Sequence, residues 1–233
     1  MTNRYFIELS FNGKPFHGWQ RQKEHYTVQQ CLEEYLSVFL KQKISVMGAG
    51  RTDAGVHAEN FIAHTDMDLN GLAIKDFVYK MNRFLPSSIV LHNLYPVKKD
   101  AHARFDAVER SYTYYISIGK DPFLNDFTHV FLAPLDLKKM NEAAKFLIGI
   151  HDFSSFARSG TDVNNYICNV KQAYWVLEDK RFVFYITADR FLRNMVRAIV
   201  GTLIDIGRGN LQIEDMPKIM AYKDRHYAGK SVP

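Results

Sequence analysis

Residues 166–188 read YICNVKQAYWVLEDKRFVFYITA. Two runs rich in β-branched and aromatic residues, Tyr166–Leu177 and Phe182–Ala188, flank the polar stretch Glu178–Arg181, a pattern that predicts an antiparallel hairpin. Consecutive antiparallel strands argue against a doubly wound parallel sheet, in which each strand is followed by a helix. Outward from the hairpin, Leu137–Ile148 predicts a helix, Phe191–Ile206 a long helix and Arg110–Ile118 a further strand. The first half repeats these ingredients: strands at Arg4–Phe11, Ile44–Met47, Asn60–Thr65 and Ile89–Val97, and a helix at Ile74–Phe84 that Pro86 stops. Thr27-Val-Gln-Gln30 fits a capping box that opens another helix, which Leu32, Tyr35, Leu36 and Phe39 give a buried face before it ends near Lys41. The expected fold class is α+β: two antiparallel-sheet domains with helices on one face, residues 1–103 and 104–233, joined near residues 98–105.

The 233 residues are 47% apolar and 24% charged, enough apolar side chain to bury a core and too much for a disordered chain. No stretch approaches the roughly 18 uncharged apolar residues of a membrane span. Glu8 interrupts the apolar start where a signal peptide would have its hydrophobic region, so a soluble cytoplasmic protein with no membrane partner is expected. The net charge of +5 suits a polyanionic partner. Cys31 and Cys168 belong to no paired-cysteine motif, and are expected to be small buried hydrophobes.

The loop Gly48-Ala-Gly-Arg-Thr-Asp-Ala-Gly-Val-His-Ala58 is the most informative segment. A dinucleotide fingerprint would need glycine where Asp53 stands, and no Gly-Lys-Ser/Thr of a Walker loop is present, so a nucleotide-dependent enzyme is disfavoured. The glycines are instead expected to let the backbone turn sharply and a ligand approach closely, with Asp53 and Arg51 projecting from the turn. Two readings of Asp53 stand on the loop alone: an Asx-turn of structural value, or a working carboxylate. His57 and His64 lack metal-ligand spacing, so no metal is expected.

Residues 48–58, GAGRTDAGVHA, closely resemble the signature of the tRNA pseudouridine synthases of the TruA type. Further stretches agree in the same order: Gly18-Trp-Gln-Arg-Gln22, Asn82 with Leu85-Pro86, His102-Ala-Arg-Phe105, Arg110-Ser-Tyr-Thr-Tyr114, His151-Asp-Phe-Ser-Ser-Phe156 and Met195-Val-Arg-Ala-Ile-Val-Gly-Thr-Leu203. The resemblance runs from about residue 4 to the end. It implies the pseudouridine synthase fold, two ferredoxin- or RRM-like α+β domains whose antiparallel and mixed sheets form one continuous bifurcated sheet around a central basic cleft. It also implies an isomerase that turns uridine into pseudouridine in the anticodon stem-loop of tRNA, at positions 38–40, working as a cytoplasmic homodimer without any cofactor.

By the same resemblance Asp53 is the essential carboxylate, Arg197 the cation that keeps it ionised in a dried site, and Tyr112 the ring that stacks on the flipped base. Arg51 is expected to contact the RNA backbone or help force the base out, and Asn82, His102 and Arg104 are weaker candidates for the substrate cleft. If Phe191–Ile206 is one helix, Arg190, Arg193 and Arg197 fall within about 60° of one another, and Leu192, Val196, Ile199 and Leu203 form the buried face. Arg190 or Arg193 would then meet phosphate. Along the strand from Arg110, Tyr114, Ile116 and Ile118 are expected to be a core row, with Tyr112 at the cleft edge. Trp19, Gln20 and Arg21 match a family motif without a derivable catalytic role. The family continues past residues 228–233 into a Gly-Leu-Tyr-Leu strand, so the second domain is expected to lack it. A tRNA-binding or chaperone protein of the same fold with impaired catalysis is the alternative.

Overall fold

A computed structural model describes residues 2–158 and 165–233. The chain divides into two compact units, Met1–Ala107 and Val108–Pro233. In the first, the elements run β1 (Asn3–Phe11), α1 (Val28–Leu40), β2 (Val46–Gly48), β3 (Ala58–Met67), α2 (Ile74–Phe84) and β4 (Ile89–Val97). The sheet order is β2-β3-β1-β4, every neighbour antiparallel. A βαββαβ chain with this strand order is the ferredoxin-like arrangement. Its core joins Ile7, Leu9 and Phe11 of β1 to Leu32, Leu36 and Leu40 of α1 and to Phe77 and Met81 of α2. Tyr35 and Phe39 pack against that core, so the helical face read from the sequence is the buried one.

Half of the capping box forms. The Gln30 N–H donates to Thr27 Oγ1 at 3.3 Å, but the Gln30 side chain donates to Glu34 Oε1 at 2.9 Å instead of reaching back. A partner four residues on lies on the same helix face, and it wins that competition here.

The second unit runs β5 (Arg110–Ser117), β6 (His129–Val130), α3 (Leu137–Ala144), β7 (Gly149–Asp152), β8 (Ile167–Glu178), β9 (Arg181–Ala188), α4 (Met195–Gly207) and α5 (Asp215–Tyr222). Its sheet order is β6-β5-β9-β8-β7, antiparallel except for the β5–β6 edge. Three consecutive strands precede α4, so this unit departs from the ferredoxin-like order of the first. Hydrogen bonding groups the strands as two sheets, one in each unit. The hairpin is as read: Asp179 and Lys180, at φ 46° and 64°, form the two-residue turn whose twist matches that of its strands.

Four expectations change. The long helix begins at Met195 rather than Phe191, because Asn194 is left-handed at φ 68° and Met195 N–H closes a turn onto Leu192 O at 3.1 Å. Arg190 and Arg193 therefore lie before the helix, and no stripe with Arg197 exists. Leu192 is buried but off the helix, Val196 is only half-buried, and Ile199 and Leu203 are buried along with most of α4. In the row from β5, Ile116 is buried and Tyr114 packs against the core, while Ile118 lies past the strand end and is exposed. Cys31 and Cys168 are both free and buried. Among the described residues no helix is long and apolar enough to cross a membrane.

Candidate active site

Asp53 lies in the irregular loop between β2 and β3. Its carbonyl accepts the Val56 N–H at 3.2 Å, a turn completed by Gly55 at φ +78°. The segment Gly13–Trp19 cradles this loop. Trp19 N–H donates to Thr52 O at 3.4 Å, Gly55 N–H to Phe16 O at 3.2 Å, and Gly13 N–H to His57 Nδ1 at 3.2 Å. A Cβ on Gly18 would stand 2.3 Å from Thr52 O, and one on Gly13 would stand 2.0 Å from Val56 O, so only glycine lets these backbones touch.

Gly48 serves the same end. Its missing Cβ would sit 2.5 Å from the Trp19 indole, which is 3% exposed and lies 4.3 Å, centroid to centroid, from Phe61. The close approach at Gly48 is thus made by a protein side chain, not by a ligand as the sequence suggested. Arg21 and Gln29 complete the support through the buried Glu33 carboxylate, which accepts Arg21 Nη1 at 2.9 Å, Gln29 Nε2 at 3.1 Å and Val46 N–H at 3.0 Å. The Gly18–Gln22 motif, without a role in the sequence reading, is the scaffold of the Asp53 loop. Asp53 itself is half-buried, Arg51 is exposed, and the Thr52 hydroxyl is buried with no hydrogen-bond partner.

The other first-unit candidates fall into two places. Asn82 clips α2 to β4: its Nδ2 donates to Leu91 O at 2.7 Å and its Oδ1 accepts Leu91 N–H at 2.8 Å. These bonds give the amide a scaffold role and use one of its two N–H groups and one of the two Oδ1 lone pairs. His102 and Arg104 share a turn in which His102 N–H donates to Asp106 Oδ2 at 2.7 Å and His102 Nδ1 accepts Arg104 N–H at 3.2 Å. The turn is held to the sheet by Arg4 Nη1, which donates to Ala101 O at 3.1 Å, and by buried His64, whose Nδ1 accepts Ala103 N–H at 3.1 Å. It presents Phe105, 74% exposed, with the Arg104 guanidinium 5.7 Å from the ring centroid. Burial, with the charges of His102 and Arg4, holds His64 below the ordinary histidine range.

In the second unit Tyr112 stands opposite Ile186 in the sheet, and its ring meets Phe191 edge-on at 5.0 Å and 90°. The segment carrying Phe191 is fixed by Asp189, whose carboxylate accepts Asn169 N–H at 2.8 Å and Arg190 N–H at 2.7 Å. Arg190 Nη1 donates to Asn165 Oδ1 at 3.3 Å, and Arg193 is exposed. Arg197, on α4, is half-buried and donates from Nε to Val232 O at 2.6 Å. Burial pushes the Tyr114 phenol up, against the opposing charge of Arg197.

A family model described as tRNA pseudouridine synthase matches residues 143–233. The tRNA pseudouridine synthase A of Bacteroides fragilis is 48% identical over 233 residues, 100% of this chain and 92% of that protein. That of Parabacteroides distasonis is 48% identical over 99% of this chain and 91% of its own length, and that of Staphylococcus aureus (strain MRSA252) is 38% identical over 99% and 86%. An α+β chain with these matches is of the tRNA pseudouridine synthase class. Within that class the chain belongs to the tRNA pseudouridine synthase A family.

Proposed function

We propose that this protein isomerises uridine to pseudouridine in the anticodon stem-loop of tRNA, at positions 38–40, with Asp53 as the essential carboxylate. The observation that carries the reading is the Asp53 loop, an irregular turn whose half-buried carboxylate stands on a backbone clamped by Gly13–Trp19. Such rigidity is what a group needs to meet a reacting atom in one geometry.

The reaction breaks the C–N glycosidic bond, turns the uracil and forms a C–C bond from C5 to C1′, with no net oxidation. The target base first leaves its stack. Asp53 then forms a covalent intermediate or takes a ribose proton, and the C5 proton departs once the new bond exists. Arg197 keeps the carboxylate ionised as water leaves, and Tyr112 offers its ring to the uracil and assists loss of the C5 proton. Arg51, His102, Arg104, Arg190 and Arg193 meet the RNA backbone. Asn82 serves the scaffold through Leu91, and the second N–H and second lone pair of its exposed amide face the substrate cleft in this reading. The homodimer and the cytoplasmic setting follow the family resemblance.

Tritium release from tRNA labelled at uridine C5 tests the reading. Asp53→Asn should lower the rate by on the order of 10³-fold or more while leaving tRNA affinity within about twofold. Near-normal turnover by that variant would remove Asp53 from the chemistry. A wild-type protein that binds tRNA and makes no pseudouridine under any condition would instead be a binding or chaperone protein.

A further inference from the structure

The segment Ala228–Pro233 has no regular secondary structure, yet it lies against α4 at backbone distance. Two glycines permit this. A Cβ on Gly201 would stand 1.8 Å from Lys230 O, and one on Gly229 would stand 2.7 Å from Thr202 N. Gly229 N–H donates to Thr202 Oγ1 at 2.8 Å, and Val232 is buried in the unit's core. Arg197 and Val232 exchange bonds in both directions: Arg197 Nε donates to Val232 O at 2.6 Å, and Val232 N–H donates to Arg197 O at 3.3 Å. A bond at Nε sets the plane of the guanidinium and so decides where its Nη hydrogens point.

Ser231 fixes the register of that exchange. Its Oγ accepts Asn194 Nδ2 at 2.6 Å and Arg225 Nη2 at 2.9 Å, which uses both acceptor lone pairs of the hydroxyl. Asn194 is the left-handed residue that starts α4, and Arg225 also donates to Ala228 O at 3.1 Å. One hydroxyl therefore ties the start of the Arg197 helix, a separate guanidinium and the strap itself to one point. Beside it, Tyr114 O–H donates to Pro233 O at 3.2 Å.

We propose that Ser231 is a positioning residue for Arg197, acting through the Val232 carbonyl that orients the guanidinium. The inference rests on the assignment of Arg197 to the Asp53 carboxylate. Ser231 touches no substrate in this scheme; it holds a strap whose neighbouring carbonyl aims a cation.

Steady-state pseudouridylation of tRNA by the full chain, followed across pH, tests this. Ser231→Ala should lower kcat about tenfold with KM for tRNA within about twofold, in line with the cost of misplacing a catalytic neighbour. The acid limb of the kcat–pH profile should move to higher pH, because a poorly aimed cation protects the carboxylate less. Ser231→Thr, which keeps the two-fold acceptor, should restore most of the rate. Asn194→Gly preserves the left-handed start of α4 while deleting one donor to Ser231, and should give a smaller change of the same kind. An unmoved acid limb in Ser231→Ala and Asn194→Gly, whether kcat is unchanged or falls only with the melting temperature, overturns the proposal. Arg197→Lys measured alongside separates the two layers: if it leaves kcat and the acid limb untouched, the assignment of Arg197 fails, and if it is damaging while both Ser231→Ala and Asn194→Gly are silent, only the strap fails.

Discussion

The Asp53 loop and the strap along α4 are both irregular, and both depend on glycines that let two backbones touch, but they are held in different ways. The loop is held by backbone N–H donors of Gly13, Gly55 and Trp19, of which Gly13 bonds the His57 ring, and by a buried indole packed on Gly48. The strap has one backbone bond, from Val232 N–H to Arg197 O, and the buried Val232 side chain, but most of its hydrogen bonds come from side-chain polar groups of Thr202, Asn194, Arg225 and Arg197. Apolar packing is strong and insensitive to small changes of angle, whereas a side-chain hydrogen bond is weaker and directional. The contrast suits the two proposed tasks: a carboxylate that must not move, and a guanidinium whose direction must be set.

The largest effect should come from breaking the loop's support. Trp19→Ala removes a side chain packed on Phe11, Phe61 and Gly48, and should cost about 3–5 kcal/mol by chemical denaturation. A cost below about 1 kcal/mol would mean that the backbone bonds suffice. The strap should answer more mildly. Thr202→Val keeps the shape but strips Gly229 N–H of its acceptor and Ala198 O of a donor, for about 1–3 kcal/mol. If the two variants cost the same, the distinction between packed loop and polar strap fails.

The smallest effect should be a pH dependence in the first unit. His64 must be neutral at Nδ1 to accept the Ala103 N–H, and its folded pKa lies below the ordinary value. The unfolded chain therefore takes up the proton first as pH falls, so stability declines from about pH 6.5 downward until the folded form also protonates. Melting curves between pH 7 and pH 5 should show this, and His64→Asn, which keeps an acceptor without titrating there, should flatten the dependence. An unchanged slope in that variant would assign the effect to other groups.

Legibility in the sequence followed how local the cause was. Helix α2 and strand β4 were read at their observed bounds, since the helix has an amphipathic period of its own and Pro86 stops it two residues past its end. The hairpin between β8 and β9 was plain for the same reason. Helix α4 was read too long because Phe191–Arg193 is as apolar and basic as the helix it precedes; the left-handed Asn194 breaks it there. Strand β7 and helix α5 are short, and neither offers enough period to be seen.

The resemblance was legible because the motif around Asp53 and the stretches that agree with it stand in so specific an order along the chain, and the family membership bears that resemblance out. The scaffolding was not. That Gly48 receives an indole, that Asn82 bonds Leu91, and that Ser231 gathers Asn194 and Arg225 depends on residues 6 to 37 positions apart.

By itself, then, the sequence determined the α+β class, the hairpin, the amphipathic helices and the family, because periodicity, turn chemistry and motif order are written in neighbouring residues. Only the tertiary structure decided which glycines touch which backbones, which arginines share a helix and what aims Arg197. Those depend on contacts between distant segments and on single backbone turns such as the left-handed Asn194, which takes Arg190 and Arg193 off the helix of Arg197.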